Sequence, residues 1–403
     1  MHLPNIAQFV KDKITNRQES FFAADIQANK NSLMNRIEGK SILVVGGAGT
    51  IGSSYIKAVL KFKPRRLIVV DTNENGLTEL TRDLRSEAGQ YIPADYVTYP
   101  MNFGSPVFRK FFINERPFDI VANFAAHKHV RSEKDRYSIE AMIDNNVFKA
   151  KAFLDLLLEN PPNHFFCVST DKAANPVNVM GASKKLMEET IMAYSKEVPI
   201  STARFANVAF SNGSLLDGYI QRLMKGQPIS CPSDVRRFFV SPEESGEICM
   251  LACMLGHSGE IFFPKLAEEE MINFKDITLD FFESMQQEVH LCSSDTEARS
   301  YAANRKPTDP YPIYFFPTDT SGEKLYEEFY TDTDIVDTTT YEGMGVIKNA
   351  AKPPLAQVEE TLAGLKTLMA SDDYDKAAIV NQLKSVLPDF AHIETGKKLD
   401  DKM

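Results

Sequence analysis

No cysteine in this chain belongs to a Cys-x-x-Cys pair. The five present, Cys167, Cys231, Cys249, Cys253 and Cys292, are odd in number and lack the spacing of a metal cluster or a disulfide scaffold. That excludes a cross-linked secreted domain and fits a reducing compartment. A basic excess is also missing. The formal net charge is −10 and the isoelectric point about 5.4. A general nucleic-acid binder needs a cationic face to neutralise phosphates, so that class is excluded, while a local basic pocket for a diphosphate is not. No window approaches the roughly 18 apolar residues of a membrane-spanning helix. The opening "MHLPNIAQFVKDKITNRQES" has no apolar core of signal-peptide length. The expected location is the cytoplasm, with no integral membrane segment. Internal repeats and low-complexity tracts are absent.

The 403 residues, 43% hydrophobic and 25% charged, describe a globular chain of about two or three domains. Residues 1–38 read as a polar leader of one or two helices that pack on the main body or on a partner subunit. From residue 40, short apolar runs alternate with helical patterns: "SILVVGG", "RLIVVD", "DYVTYPMN", "DIVANFAA", "HFFCVST" and "PISTARFANV" read as six strands. Between the fourth and fifth, "SIEAMIDNNVFKAKAFLDLLLEN" reads as one long helix. This alternation predicts an α/β fold, a Rossmann-type doubly wound parallel sheet with a smaller C-terminal substrate-binding domain. The expected boundaries are 39–264 for the dinucleotide-binding domain, its segments after about 212 contributing to the substrate pocket. Residues 265–350 form an irregular substrate-binding domain, 351–392 form two helices, and 393–403 form a disordered tail.

Gly46, Gly49 and Gly52 lie in "VVGGAGTIGSSY", between an expected strand and an expected helix opened by Thr50 and Ile51. Small residues there let the backbone approach a pyrophosphate at a helix N-terminus, where free N–H groups favour an anion. The second strand ends at Asp71, nineteen residues after Gly52. A carboxylate at that point accepts from both ribose hydroxyls of adenosine and repels a 2′-phosphate. Thr72 and Asn73 follow, not arginine, so NAD is favoured over NADP. Asn102 ends the third strand, either meeting adenine or closing a plain turn. Ala125 and Lys128 follow the fourth strand, near the expected nicotinamide.

Function in such folds lies at the carboxyl ends of the strands. The fifth strand delivers Thr170, Asp171 and Lys172 to that edge: a hydroxyl, an acid and an amine in a row. The plain alternative is a turn of solvated charges. Lys184, on the next helix, is placed to hydrogen-bond a nicotinamide ribose. Four positions before it, where a proton-handling tyrosine would make Tyr-x-x-x-Lys, stands Met180. A thioether neither gives nor takes a proton at neutral pH.

Seven blocks occur in order from about residue 38 to 390: "GKSILVVGGAGTIGS", "AAHKHVRSEKDRYSIEAMIDNNV", "VSTDKAANPVNVMGASKKLMEE", "RFANVAFSNGS", "RRFFVSPEES", "GEKLYEE" and "AAIVNQLKSVLPDF". With them the chain resembles the extended short-chain dehydrogenases/reductases and, within these, the bacterial polysaccharide-biosynthesis UDP-N-acetylglucosamine 4,6-dehydratases. It looks like the subgroup that carries Met in the Met-Gly-Ala-Ser-Lys setting, without that subgroup's membrane part.

The resemblance implies temporary hydride transfer from C4 of a nucleotide sugar to NAD, with Lys172 as base at C5, Asp171 as acid at C6 and Thr170 on the C4 hydroxyl. A water held by Asp171, Thr170 and Lys184 would take the C4 proton, and Met180 would form a dry wall. Retention at C5 is implied for the Met subgroup. Lys128, His129, Arg204, Asn207, Ser214 and Arg237 are implied to face the substrate; His129 is otherwise structural and Arg237 otherwise a surface arginine. Asn146 would brace the site. No metal is expected. A homodimer or higher homo-oligomer is implied, through helices 138–159 and 181–196. The sequence departs from the family's pattern at Thr320 and Ser321, which stand where a phosphate-binding Arg-Pro usually precedes "GEKLYEE". Arg305, Lys306 or Arg237 would have to compensate. The other readings are a 4-epimerase or 4-dehydrogenase, against which Lys172 speaks, and a non-enzymatic NAD-binding scaffold.

Overall fold

Short runs rich in Val, Ile and Phe, each followed by a helix, can hide their strands by lying parallel with helices on both faces. The computed structural model describes residues 3–322, 324, 326 and 328–397. Glu323, Leu325 and Glu327 of the "GEKLYEE" block and residues 398–403 of the expected tail lie outside the described residues.

In chain order the strands are β1 (Ser41–Val45), β2 (Arg66–Asp71), β3 (Asp95–Pro100), β4 (Ile120–Asn123), β5 (His164–Val168), β6 (Ile200–Ala203), β7 (Asn207–Val208), β8 (Ile229–Pro232), β9 (Arg236–Arg237), β10 (Phe239–Val240), β11 (Glu260–Pro264), β12 (Ile272–Asn273), β13 (Val289–Cys292), β14 (Tyr311–Phe316), β15 (Val336–Asp337) and β16 (Met344–Ile347). Nine form one sheet, ordered β15-β16-β11-β6-β5-β4-β1-β2-β3. Pairing is parallel from β11 to β3, and antiparallel at β16 and β15. β1, β4, β5, β6 and β11 are buried along their whole length. The chain leaves β1 in one direction as far as β3 and resumes on its other side with β4. The switch point, where such sheets bind ligands, therefore lies between β1 and β4. This is the expected doubly wound sheet.

A second, parallel sheet of β13-β14-β8 carries helices Leu215–Met224, Phe274–Ser284 and Asp295–Asn304. Leu216, Tyr219, Ile229, Phe281 and Ile313 fill its own core. Residues 265–350 are thus more regular than their Pro, Asp and Thr clusters suggest. They also divide differently. β8 and helix Leu215–Met224 come from the segment before 264, while β15 and β16 join the large sheet and cover the edge of β11. Further differences are local. The sixth strand stops at Ala203, and Asn207–Val208 begins a separate ladder with β10. The long helix is interrupted by a π-turn at Asp144–Phe148, and Asn146 sits in it.

The leader packs on the main body. Phe9, Val10 and Ile14 enter the smaller core, and Phe22, Leu33 and Ile37 the larger one. Arg17 forms a fork on buried Glu244, from Nε at 2.9 Å and Nη2 at 3.0 Å. The carboxylate of Asp25 accepts from Glu342 N and Gly343 N at 2.7 and 2.8 Å. The C-terminal end is also held as far as Lys397, contrary to the expectation of a disordered tail. Ala391 N donates to Pro176 O at 3.0 Å, Ile393 N to Val177 O at 2.9 Å, and Gly322 N to Ile393 O at 3.0 Å. The face expected to meet a second subunit is partly covered by the chain itself. Helix Leu355–Met369 packs against Val179–Ala193, Glu359 pairs with Lys151 at 3.3 Å, and Lys366 lies 5.0 Å above the Phe148 ring.

Arg17→Ala leaves buried Glu244 with only the backbone donors Phe21 N and Ser241 N and no cation. Loss of one partner of a buried pair costs about 3 kcal/mol, so urea unfolding of this variant is expected to show a correspondingly lower midpoint with an unchanged slope.

Candidate active site

The loops after β1 and β4 touch at the switch point. A Cβ on Gly46, whose φ is +75°, would lie 2.4 Å from Ala125 N, and one on Gly52 would lie 2.3 Å from Gly46 O. These two glycines are required by backbone packing. Gly49 differs: its Cβ would meet nothing closer than 3.6 Å. It caps helix Thr50–Leu60 with no side-chain hydrogen bond, so the first N–H groups of that helix are presented beside open space, as a dinucleotide's pyrophosphate requires. Asp71 ends β2 next to this loop and accepts from Ala48 N at 3.0 Å and Asn73 N at 2.9 Å. The Thr50 hydroxyl accepts from Asn212 N at 2.9 Å, tying the loop to the far wall of the site. Asn102 closes a turn through its Oδ1 and Gly104 N at 2.9 Å.

A cavity of about 780 Å³ opens from this edge and runs between the two sheets. Ile51, Lys128, His129, Asn207, Ser214 and Arg237 line it. So do Thr170, Asp171, Lys172, Met180 and Lys184. Gly46, Gly49, Thr50, Gly52, Asp71, Asn102 and Ala125 are not part of its lining.

Asp171 is the hub of the row at 170–172. It is 3% exposed, and its Oδ1 accepts from the Thr170 hydroxyl at 2.7 Å, Lys172 N at 2.9 Å and Lys172 Nζ at 3.1 Å. The turn that carries them is pressed against the next helix, since a Cβ on Gly181 would lie 2.5 Å from Lys172 O. Asn178 caps that helix through Gly181 N at 2.7 Å and donates to Gly322 O at 2.7 Å. Met180 and Lys184 thereby reach the cavity, each 3% exposed. Lys184 Nζ donates to Val168 O at 2.6 Å. Burial lowers its pKa, and Cys167 and Glu188 oppose that shift. No tyrosine stands in for Met180: the one tyrosine on the cavity lining among the described residues is Tyr219, bonded to Thr278 at 2.7 Å.

Lys128 and His129 face the open cavity, yet its concave wall desolvates both and lowers their pKa values. Asp217 opposes the shift at Lys128, while Lys128, Arg131 and His127 add to it at His129. Asn207 Nδ2 is buried without a hydrogen-bond partner, which suits a residue completed by a ligand. Ser214 caps helix Leu215–Met224 by accepting from Asp217 N at 3.2 Å. Arg237 reaches the cavity with Nη1 on Arg236 O at 2.9 Å and Nη2 on Lys324 O at 2.8 Å. Asn146 braces the β4 loop: it accepts from His127 N at 2.8 Å and donates to His127 O and Ser183 Oγ at 3.0 Å.

Arg204 does not face the substrate cavity. It is 2% exposed and pairs with equally buried Glu188 at 2.7 Å, behind the catalytic turn. Arg305 lies elsewhere too, stacked 4.7 Å from the Tyr311 ring, and Lys306 is exposed. Thr320 is buried, and Ser321 grips the C-terminal segment, donating from Oγ to Glu394 at 2.6 Å and from N to Lys397 O at 3.1 Å. Sequence reasoning passed over Arg222, which lines the cavity. The signal was available: Leu215, Tyr219 and Arg222 follow helical spacing on one face. The basic groups on the lining are Lys128, Arg131, Lys172, Lys184, Arg222 and Arg237, against Asp171 alone. In a chain of net charge −10, that is a local anion-binding field.

The glycine geometry separates two roles. Gly52→Ala is expected to lower the melting temperature measurably, because backbone must move. Gly49→Ala is expected to stay within about 0.5 kcal/mol of the parent while weakening dinucleotide binding, as read by thermal melts with and without the dinucleotide.

Comparison with known proteins agrees with this architecture. Residues 42–349 match the family described as polysaccharide biosynthesis protein. An uncharacterized membrane protein of Methanocaldococcus jannaschii is 30% identical over 78% of this chain and 87% of its own length. A UDP-N-acetylglucosamine 4,6-dehydratase (inverting) of Campylobacter jejuni is 29% identical over 58% of this chain and 70% of its own. The probable polysaccharide biosynthesis protein EpsC of Bacillus subtilis is 26% identical over 77% of this chain, which spans 48% of that longer relative. Among solved structures, Pen from Bacillus thuringiensis superposes with a TM-score of 0.64 at 22% identity, covering 79% of this chain and 90% of that one. A dTDP-glucose 4,6-dehydratase from Streptomyces venezuelae, solved with NAD bound, gives 0.54 at 16% identity over 72% and 88%. These two likenesses establish the fold. With three quarters of its length inside the family match, the chain belongs to the polysaccharide biosynthesis protein family.

Proposed function

We propose that the protein is an NAD-dependent nucleotide-sugar 4,6-dehydratase acting in the cytoplasm on UDP-N-acetylglucosamine, yielding a 4-keto-6-deoxy sugar for surface glycans. The coarser assignment, to the nucleotide-sugar dehydratases and epimerases, is supported by relatives named for both activities. One observation carries the finer one: the Thr170–Asp171–Lys172 row on the cavity wall, joined at 2.7 and 3.1 Å. An epimerase needs no base at C5, so this amine beside an acid favours elimination.

Bound NAD supplies the acceptor and later the donor of one hydride. Gly49, the start of helix Thr50–Leu60 and Asp71 would hold its diphosphate and ribose, and the buried amine of Lys184 its nicotinamide ribose.

The chain's own residues then account for the protons. The Thr170 hydroxyl, already directed at Asp171, passes the C4 hydroxyl proton to that carboxylate. This relay of two side chains takes the place of the missing tyrosine, and of the water expected between Asp171, Thr170 and Lys184, because Thr170 already reaches Asp171 directly; Met180 keeps water from the wall. Lys172, entering as the amine, takes the C5 proton. Asp171 gives its proton to the C6 hydroxyl, which leaves as water. Lys172 returns its proton to C5 as C6 is reduced. One water is lost, and both side chains end as they began. A single base acting on one face gives retention at C5, unlike the relatives named as inverting.

Incubation with UDP-N-acetylglucosamine is expected to give a product lighter by one water. Unchanged mass with altered C4 stereochemistry would make the protein an epimerase, and no turnover across UDP, GDP and dTDP sugars would make it a scaffold. Lys172→Ala is expected to lower kcat by at least about 100-fold, the low end for a general base, with dinucleotide binding retained. Met180→Leu is expected to keep most activity; damage equal to that of Lys172→Ala would refute its packing role.

A further inference from the structure

Three of the cations on the cavity wall have hydrogen-bond partners in the protein. Lys172 is on Asp171, Lys184 on Val168 O, and Arg237 on two carbonyls. Arg222 stands apart: its Nε is buried and has no hydrogen-bond partner among the described residues. A desolvated guanidinium donor without an acceptor is unfavourable, and more so than a neutral one. A ligand in the cavity relieves it.

Position says which part of a ligand. Leu215 begins the helix on which Arg222 lies, and Leu215, Tyr219 and Arg222 share its cavity face. Seven residues at the helical rise place Arg222 about 10 Å further along the wall than Leu215. Its backbone is fixed there, since the Tyr311 hydroxyl donates to Gln227 O at 2.6 Å and Arg222 O at 3.4 Å. The wall next to it is of another kind from the catalytic end: Tyr219 on the same helix face, and Pro228 and Ile229, which follow the Gln227 carbonyl held by Tyr311. Apolar faces with one cationic donor at the edge match a flat heterocycle whose own edge carries acceptors. Ser214 opens the same helix beside Gly213, which lies against His129, so the helix start points toward the catalytic row and is the region left for the diphosphate.

We propose that Arg222 is the specificity residue for the nucleobase. It donates to a ring carbonyl oxygen and so selects a pyrimidine-2,4-dione such as uracil over adenine, whose corresponding edge presents an amine. The inference rests on the nucleoside-diphosphate-sugar reading above.

Titration calorimetry of the full chain with UDP, ADP and pyrophosphate tests this, comparing the parent with Arg222→Met. UDP binding is expected to weaken about 10- to 100-fold, the equivalent of one charge-assisted hydrogen bond, with ADP and pyrophosphate unaffected. NAD binding serves as the control that the fold is intact. If Arg222→Met does not fold, arginine Nε–H NMR of the parent replaces it. One resonance is then expected to shift with UDP and not with pyrophosphate. Unchanged UDP affinity, or no such shift, overturns the proposal. An equal fall for all three probes assigns Arg222 to the diphosphate and also overturns it. A parent protein that binds neither UDP nor ADP overturns the nucleotide-sugar reading along with it.

Discussion

One carboxylate oxygen organises the site. Asp171 Oδ1 takes three donors from the two residues that flank it, at the mouth of a strand buried along its whole length. Side chains that close together on a loop would scatter unless the loop were clamped. Gly181 lets the following helix touch the turn at Lys172 O, Asn178 ties the cap of that helix to Gly322, and Glu188 with Arg204 forms a buried pair behind it. Much of the surrounding fold serves to hold this turn rigid, which is what positioning of reacting groups requires.

The same clamp explains how a tyrosine site can lose its tyrosine. In a Tyr-x-x-x-Lys arrangement the phenol and the lysine share proton handling. Here the hydroxyl of Thr170 is aligned with an acid, and in the proposed mechanism the proton path runs along the strand end and not across from the helix. Met180 is left to exclude water. The positive lining of the cavity, set in an acidic protein, suits a ligand that carries a diphosphate.

Local patterns made much of this visible beforehand. Apolar runs ending in glycine or acid marked β1, β2 and β5, because fully buried strands tolerate little else. The row at 170–172 was conspicuous because packing does not select three polar groups at a strand end. Long-range partners were not visible. Arg204 looked like a ligand-facing cation because its partner, Glu188, lies on a different element. The order of the C-terminal segment depends on Ser321, Lys376 and Glu133, which no local window joins. β15 and β16 were hidden in an irregular stretch, since a short edge strand is specified by the neighbour it covers. The π-turn at Asn146 was missed because a shift of one residue in the apolar spacing is too small to stand out in one long helical run.

The central claim is that one hydride leaves C4 and returns to C6 while Lys172 carries the C5 proton. The most direct measurement is the fate of hydrogen in UDP-N-acetylglucosamine deuterated at C4, followed by NMR of the product. The account predicts that the label moves to the C6 methyl group within the same sugar, and that C5 keeps its configuration. Label that stays at C4, or is lost to solvent, would contradict it.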